Sequence, residues 1–312
     1  MPDAGPVLVV ENRRSGTAGE PDGHARLREA FRVAGIAAEF VAASTGPEIK
    51  VVVDQAIEAG HCMIVAAGGD GSVSAVASRL IGTDVVLGVI PFGTLNHFAK
   101  DLRLPQDVED AVVTLKCGVV AAIDVAEVNS RPFLNNSSIG LYPKLVQERE
   151  EIRRLGYRKS VALLRALVPT LRNLPLTRVR LHAGGQTLER GTPFVFVGNN
   201  VYELAGLRLG SRSRLDGGEL SVCVAHRVGA FGVARLAASA LLGRLREAKD
   251  FDVFCTREVW VDAAAASLPV SLDGEVAQLE TPLHYRIRPR ALKVVAPRSD
   301  VDAVQSSIQE PS

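Results

Sequence analysis

The chain runs Cys62-Met63-Ile64-Val65-Ala66-Ala67 into Gly68-Gly69-Asp70-Gly71-Ser72, an apolar stretch broken by a glycine-rich turn. The first part reads as a buried parallel strand, and the residues from Ser72 to Leu80 have helical character. Strand, glycine turn and helix together present backbone N–H groups and a helix N-terminus to an anion. An acidic residue inside such a turn works against simple phosphate binding, because its charge repels phosphate. Asp70 makes sense as a group that holds a metal-bound water or deprotonates a hydroxyl. About twenty residues on, Pro91-Phe92-Gly93-Thr94-Leu95-Asn96 forms a second turn after another apolar run. The pattern points to phosphate chemistry at an alcohol.

Outward from this stretch, the first third alternates short apolar runs with amphipathic segments. Val7–Val10, Ile36–Ala42, Cys62–Ala66 and Val85–Ile90 are the strand candidates; Ala25–Val33 and Glu48–Ala59 have helical spacing. Continuous apolar strands between such helices predict a doubly wound parallel sheet covered on both faces. Ligands in such folds sit beyond the carboxyl ends of the strands. Asn12–Gly16, Gly68–Ser72 and Gly93–Asn96 each follow a strand, so all three are expected to line one crevice.

After Asp124 the texture changes. Pro132–Ile139, Pro193–Gly198, Glu219–Val224 and His284–Ile287 alternate more and are broken by turn signals. They predict an antiparallel, β-rich, sandwich-like second domain, interrupted by helical insertions at Tyr142–Arg172 and Ala230–Ala248. The expected boundaries are 1–128 for the α/β domain and 129–289 for the β-rich domain. A segment near 290–300 returns to the first domain, and 299–312 is a polar tail.

Composition narrows the class. The 312 residues carry 36 basic and 35 acidic side chains, a net charge of +1, so no global field attracts nucleic acid. Cys62, Cys117, Cys223 and Cys255 are far apart, with no CxxC pair, which argues for a reduced compartment and against a structural zinc site. The Met1-Pro2-Asp3-Ala4-Gly5 start lacks the features of a signal peptide, and no apolar run reaches transmembrane length. The expectation is a cytoplasmic protein with at most peripheral contact at the inner face of the membrane.

Four elements in this order, Asn12-Arg13-Arg14-Ser15-Gly16, Gly68–Ser72, Pro91–Ala99 and Leu272-Asp273-Gly274-Glu275, resemble the diacylglycerol kinase catalytic-domain family. This family includes bacterial lipid kinases and is similar to sphingosine and ceramide kinases. The resemblance runs from about Val7 to Pro297. It implies an ATP- and Mg²⁺-dependent lipid kinase, with ATP in the first-domain crevice against Asn12, Ser15, Gly16, Thr45, Gly68, Gly69, Asp70, Gly71, Ser72, Gly93, Thr94 and Asn96. Glycines let backbone approach phosphate where a side chain would block it. Neither a GxxxxGK[ST] loop nor a GxGxxG fingerprint occurs. Arg13 stands where the family usually has proline, which loosens that turn.

The same resemblance implies that Glu275 takes the proton from the lipid hydroxyl, with Asp273 holding or orienting it. In sphingosine-kinase-like relatives the acceptor role falls to the residue matching Asp70, and the two assignments stay open. Asp273-Gly274 also reads as a two-residue hairpin turn. Leu215-Asp216-Gly217-Gly218 matches the family's metal segment, implying Mg²⁺ on Ser213, Asp216 and Gly218; on its own it is a loop turn. Two alternatives remain: an NAD-kinase-like enzyme with a soluble substrate, and a nucleotide-binding regulatory protein without turnover.

From Glu148 to Arg180 nine basic residues face three glutamates, among leucines and valines at roughly helical spacing. A basic amphipathic helix over 148–172 is expected to lie reversibly on an anionic lipid surface or to pack on the protein itself. Oligomeric state is left open, a homodimer included.

Overall fold

The computed structural model describes residues 7–12, 23–141, 143, 176–202, 212–226 and 251–298. Arg13 to Gly16, the expected helix over 142–172 except Pro143, the helix over 230–248 and the tail from 299 lie outside them. The chain divides into two compact units, Met1–Ile123 with Arg290–Ser312, and Asp124–Pro289.

The first unit is built on β1 (Val7–Glu11), α1 (Gly23–Ala34), β2 (Ala38–Ala42), α2 (Gly46–Glu58), β3 (Met63–Gly68), α3 (Asp70–Leu80), β4 (Val86–Pro91), α4 (His97–Asp101) and α5 (Val108–Cys117). β1 to β4 pair in parallel in the order β2-β1-β3-β4. β1, β3 and β4 are buried along their whole length, as strands covered on both faces must be. One face packs Val7, Val9, Val65 and Ile90 against Leu27 and Phe31 of α1 and Val112 and Leu115 of α5. α2 and α3 pack on each other, α2 reaching β1 and α3 reaching β3 and β4.

The order reverses between β1 and β3: the chain steps from β1 outward to β2, then returns to the other side of β1. A crevice opens at such a reversal because the two following loops leave in opposite directions. The carboxyl ends of β1 and β3 are level there, since Asn12 donates its N–H to the Ala67 carbonyl at 3.0 Å.

The second unit contains the end of β5 (Val119–Val128), then β6 (Arg131–Phe133), β7 (Asn136–Gly140), β8 (Thr177–Ala183), β9 (Gln186–Thr192), β10 (Phe194–Asn199), β11 (Leu220–Ala225), β12 (Phe251–Thr256), β13 (Glu258–Ala263), β14 (Ser267–Leu272), β15 (Glu275–Glu280) and the start of β16 (Leu283–Ala296). One sheet runs β12-β11-β10-β7-β14-β15; the other places β13 between β16 and β8, with β9 beyond. Both are antiparallel in this unit. Val195, Val197, Val222 and Val270 of the first sheet meet Val179, Leu181, Val259 and Val261 of the second in one core, which makes the unit a β-sandwich.

Two expected strands differ in extent. Pro132–Ile139 is split into β6 and β7, because the N–H groups of Leu134 and Asn135 go to the Asp273 carboxylate instead of a neighbouring strand. His284–Ile287 and Ala291–Val295 form one 14-residue strand, β16, which pairs with β13 through Leu283 to Arg286 and with β4 at Val294.

Candidate active site

In the first unit three loops converge at the ends of β1, β3 and β4. The Asn12 side chain donates from Nδ2 to Ser72 Oγ at 2.7 Å, tying the first loop to the first turn of α3. Gly68 has no room for a side chain: a Cβ there would lie 2.6 Å from Ser72 Oγ. Gly69 and Gly93 meet backbone to backbone, a Cβ on Gly93 falling 2.6 Å from Gly69 Cα and 2.5 Å from Asn96 Oδ1. Gly69 is also the N-cap of α3 and offers no side chain to the helix's first amides. Ser72 and Val73 already give their N–H groups to the Gly69 carbonyl, at 2.9 and 3.1 Å, so the amides of Asp70 and Gly71 are the ones left to an external acceptor, the arrangement by which helix N-termini bind phosphate.

Asp70 is half-buried, and its Oδ1 accepts the Phe98 N–H at 3.1 Å, capping the short helix α4 from outside. Asn96 adopts the left-handed backbone (φ 50°) and donates from Nδ2 to the Gly93 carbonyl at 2.9 Å and to Gln106 Oε1 at 3.3 Å. Its Oδ1 is buried with no partner among the described residues. Thr94 and His97 are exposed on the rim. Thr45 is the N-cap of α2 in a capping box with Glu48, so its hydroxyl already accepts the Glu48 N–H. The structure thus brings Asn12, Gly68, Gly69, Asp70, Ser72, Gly93 and Asn96 together, while Ser15 and Gly16 fall outside the described residues.

A second constellation occupies one end of the sandwich. Asp273 and Gly274 close the β14–β15 hairpin with positive φ at both positions, 48° and 89°, the primed turn that Asp-Gly favours. The Asp273 carboxylate accepts N–H groups from Leu134 and Asn135 at 2.8 Å each and from Asn136 at 3.2 Å. It therefore clamps the 134–136 bend and is not held against Glu275. Glu275, the first residue of β15, is exposed, and its carboxylate makes no hydrogen bond or ion pair among the described residues.

The metal-segment residues lie in the loop from Ser213 to Gly218. Asp216 is half-buried and its Oδ1 accepts Arg214 Nε at 3.1 Å. Gly218 is in the left-handed region (φ 72°) and gives its N–H to Asp124 Oδ2 at 2.6 Å, which leaves its carbonyl for other use. A carboxylate, a hydroxyl and a carbonyl are hard oxygen donors that suit Mg²⁺, provided Arg214 releases Asp216. Among the described residues no group of three or more His, Cys, Asp or Glu side chains could hold a metal ion.

Sequence reading missed Asp124 and Arg212, which help support this loop. Asp124, 1% exposed, anchors it twice, through Gly218 and by giving its own N–H to the Leu215 carbonyl at 2.7 Å. Asn200 Oδ1 accepts the Gly217 N–H at 2.7 Å, and Asn199 Nδ2 donates to the carbonyls of Asp124 and Leu134. Buried Arg212 donates to the carbonyls of Leu134 and Asn199 and to Asn135 Oδ1. The available signal was an aspartate inside the apolar run Val119–Val128.

Comparison with known proteins fits this geometry. Residues 6–128 match the model of the diacylglycerol kinase catalytic domain, and residues 144–296 match the YegS C-terminal NAD kinase beta sandwich-like domain. A diacylglycerol kinase of Bacillus subtilis is 29% identical over 68% of this chain and 71% of its own length. An uncharacterized Synechocystis protein, sll0036, is 26% identical over 80% of this chain; the chain spans 58% of that relative's length and 34% of a Klebsiella pneumoniae relative's. The crystal structure of a diacylglycerol kinase from Bacillus anthracis superimposes with a TM-score of 0.69, covering 94% of this chain and 97% of the other at 19% identity, a likeness of fold. With both domain models matched in order along nearly the whole chain, the protein belongs to the diacylglycerol kinase catalytic-domain family, in the form that carries the YegS-type C-terminal domain.

Proposed function

We propose that the protein is an ATP- and Mg²⁺-dependent lipid kinase that phosphorylates the hydroxyl of diacylglycerol or a related amphiphile. The observation that carries this reading is the backbone-to-backbone packing of Gly69 on Gly93 beyond the carboxyl ends of β3 and β4, in a chain whose residues 6–128 match a diacylglycerol kinase catalytic domain. The Asp70 and Gly71 amides at the start of α3 receive phosphate oxygens, with Asn12, Ser72 and Thr94 as polar side chains beside them. Thr45, Ser15 and Gly16 complete the nucleotide set by resemblance. Ser213, Asp216 and the Gly218 carbonyl would hold Mg²⁺, whose positive charge would order the loop, and the Mg²⁺ brought with the nucleotide would neutralise phosphate.

Glu275 is the proton acceptor on this reading. It takes the proton of the lipid hydroxyl as that oxygen bonds to the γ-phosphorus, and the bond from phosphorus to the bridging oxygen breaks to release ADP. Exposure without a partner leaves its carboxylate available for that proton. Asp70 holds α4, and Asp273 holds the bend ahead of β7. Lipid is met peripherally, through the basic segment over 148–172, at a membrane surface facing the cytoplasm. No helix among the described residues is long and apolar enough to cross a membrane.

The likeness of residues 144–296 to an NAD kinase sandwich supports a second reading, a kinase of a soluble dinucleotide. One assay separates the two: transfer of labelled γ-phosphate from Mg·ATP to diacylglycerol, monoacylglycerol, phosphatidylglycerol, sphingosine and ceramide in mixed micelles, with NAD alongside. Label in a glycerolipid, lost in Glu275→Ala, is the expected result. Label in NAD alone overturns the lipid reading.

A further inference from the structure

Two hydroxyls of the sandwich are buried and unused. Ser138 on β7 and Ser271 on β14 stand opposite each other in register, 2% and 1% exposed, and neither Oγ has a hydrogen-bond partner among the described residues. Nearby serines are paired: Ser137 Oγ meets Tyr285 Oη at 3.0 Å in the core, and Ser221 Oγ donates to the Asn200 carbonyl at 3.0 Å. A buried hydroxyl without a partner loses its hydration and gains nothing in exchange. Two side by side mark a place prepared for an outside acceptor.

Their surroundings limit what that acceptor is. Ile139 and Val270, the next residues on the same strands and themselves in register, point into the sandwich core. Strand alternation therefore turns Ser138 and Ser271 to the opposite face of the sheet. Across that face the register continues from Ser138 to Phe196 and on to Cys223, and from Ser271 to Val276. Tyr202 stands edge-on to Phe196 with ring centroids 5.2 Å apart, and Phe194 lies 6.3 Å on its other side. The face is apolar and aromatic, with a pair of hydroxyls set in it.

The same two strands lead to the Asp273 clamp. Asp273 follows Ser271 by two residues, about 6.6 Å of extended chain, and it binds the N–H of Asn136, two residues ahead of Ser138. The matching ligand is apolar and carries oxygens that only accept hydrogen bonds. The ester carbonyls of an acylglycerol meet both conditions. Resting on the lipid kinase reading above, we propose that Ser138 and Ser271 donate hydrogen bonds to the ester carbonyl oxygens of the lipid acceptor and so set its selectivity for acyl over alkyl chains.

The test compares a 1,2-diacylglycerol with the 1,2-dialkylglycerol of equal chain length, which lacks both carbonyls. Binding in mixed micelles and phosphate transfer are measured for the wild type, Ser138→Ala, Ser271→Ala, the double alanine variant and the double threonine variant. The wild type is expected to bind the ester lipid about tenfold better, the size of one or two net hydrogen bonds. That ratio falls to near one in the double alanine variant, with ether-lipid binding kept, and threonine restores part of it. Equal binding of the two lipids by the wild type overturns the proposal, and so does a preference that survives both alanines. If the double variants fail to fold, the single variants and the wild-type ratio decide by the same criteria. Ester-selective binding without transfer to either lipid would remove the kinase reading and leave the hydroxyl assignment standing.

Discussion

The Asp70 carboxylate, one residue into α3, accepts the backbone N–H of Phe98 at 3.1 Å and so fixes the loop after β4 from the loop after β3. A residue whose position suggests chemistry is also a remote helix cap. The two roles separate by substitution. Asp70→Asn keeps an oxygen for Phe98, whereas Asp70→Ala removes it and should lower stability by about 1 kcal/mol, the usual worth of a cap. With Glu275 as proton acceptor, Asp70→Asn retains both its melting temperature and measurable transfer. Transfer abolished in Asp70→Asn at unchanged melting temperature would give the acceptor role to Asp70.

Gly93→Ala tests the packed loops. The added methyl meets Gly69 Cα at 2.6 Å and Asn96 Oδ1 at 2.5 Å, and the former is backbone that cannot swing aside. The loops must part, at an overpacking cost of about 1–3 kcal/mol. Equilibrium titration with Mg·ATP should show at least tenfold weaker binding, beyond what the drop in melting temperature explains. Wild-type affinity in this variant would mean that the nucleotide does not use the Gly69–Gly93 junction.

Much of the first unit was legible because its strands are buried on both faces and so read as unbroken apolar runs. The second unit was harder to read. β8 carries arginines at alternate positions, Arg178 and Arg180, with Arg180 3.5 Å from Glu189 of β9, and β9, β13 and β15 also mix charged with apolar residues. Such strands resemble loops until their partners are known. The nucleotide loops were legible as glycine motifs, yet Asp124 and Arg212 were not. Their work depends on contacts across 13 to 94 residues of chain, which no local pattern encodes.

Asp273 and Glu275 stand two residues apart and should fail in different ways. Asp273→Ala leaves three backbone N–H groups of the 134–136 bend without their acceptor, a loss of about 1–3 kcal/mol read in urea unfolding. Glu275→Ala touches nothing in the fold and should stay within about 0.5 kcal/mol of wild type, while transfer falls at least a hundredfold, the usual range for a lost general base. The reverse pattern, a destabilised Glu275 variant with transfer intact, would exclude it as the base.

Asp252 gives the acid limb of stability a specific source. It is the second residue of β12, accepts Arg190 Nε from β9 at 3.0 Å and lies 3.2 Å from His226 Nε2. Partial burial pushes its carboxyl up, but His226 and Arg190 together outweigh that and hold it below the ordinary carboxylate range. A carboxyl with a lower pKa folded than unfolded adds stability that is fully present above the unfolded value, about 3.9, and is lost as pH falls through the folded one. Asp252→Asn should therefore be less stable than wild type near pH 6, and the gap should close as pH drops below about 4. Urea midpoints of the two proteins across that range check it. A gap that stays constant with pH would mean that the contact joins β9 to β12 by shape and hydrogen bonding, with no contribution from the charge.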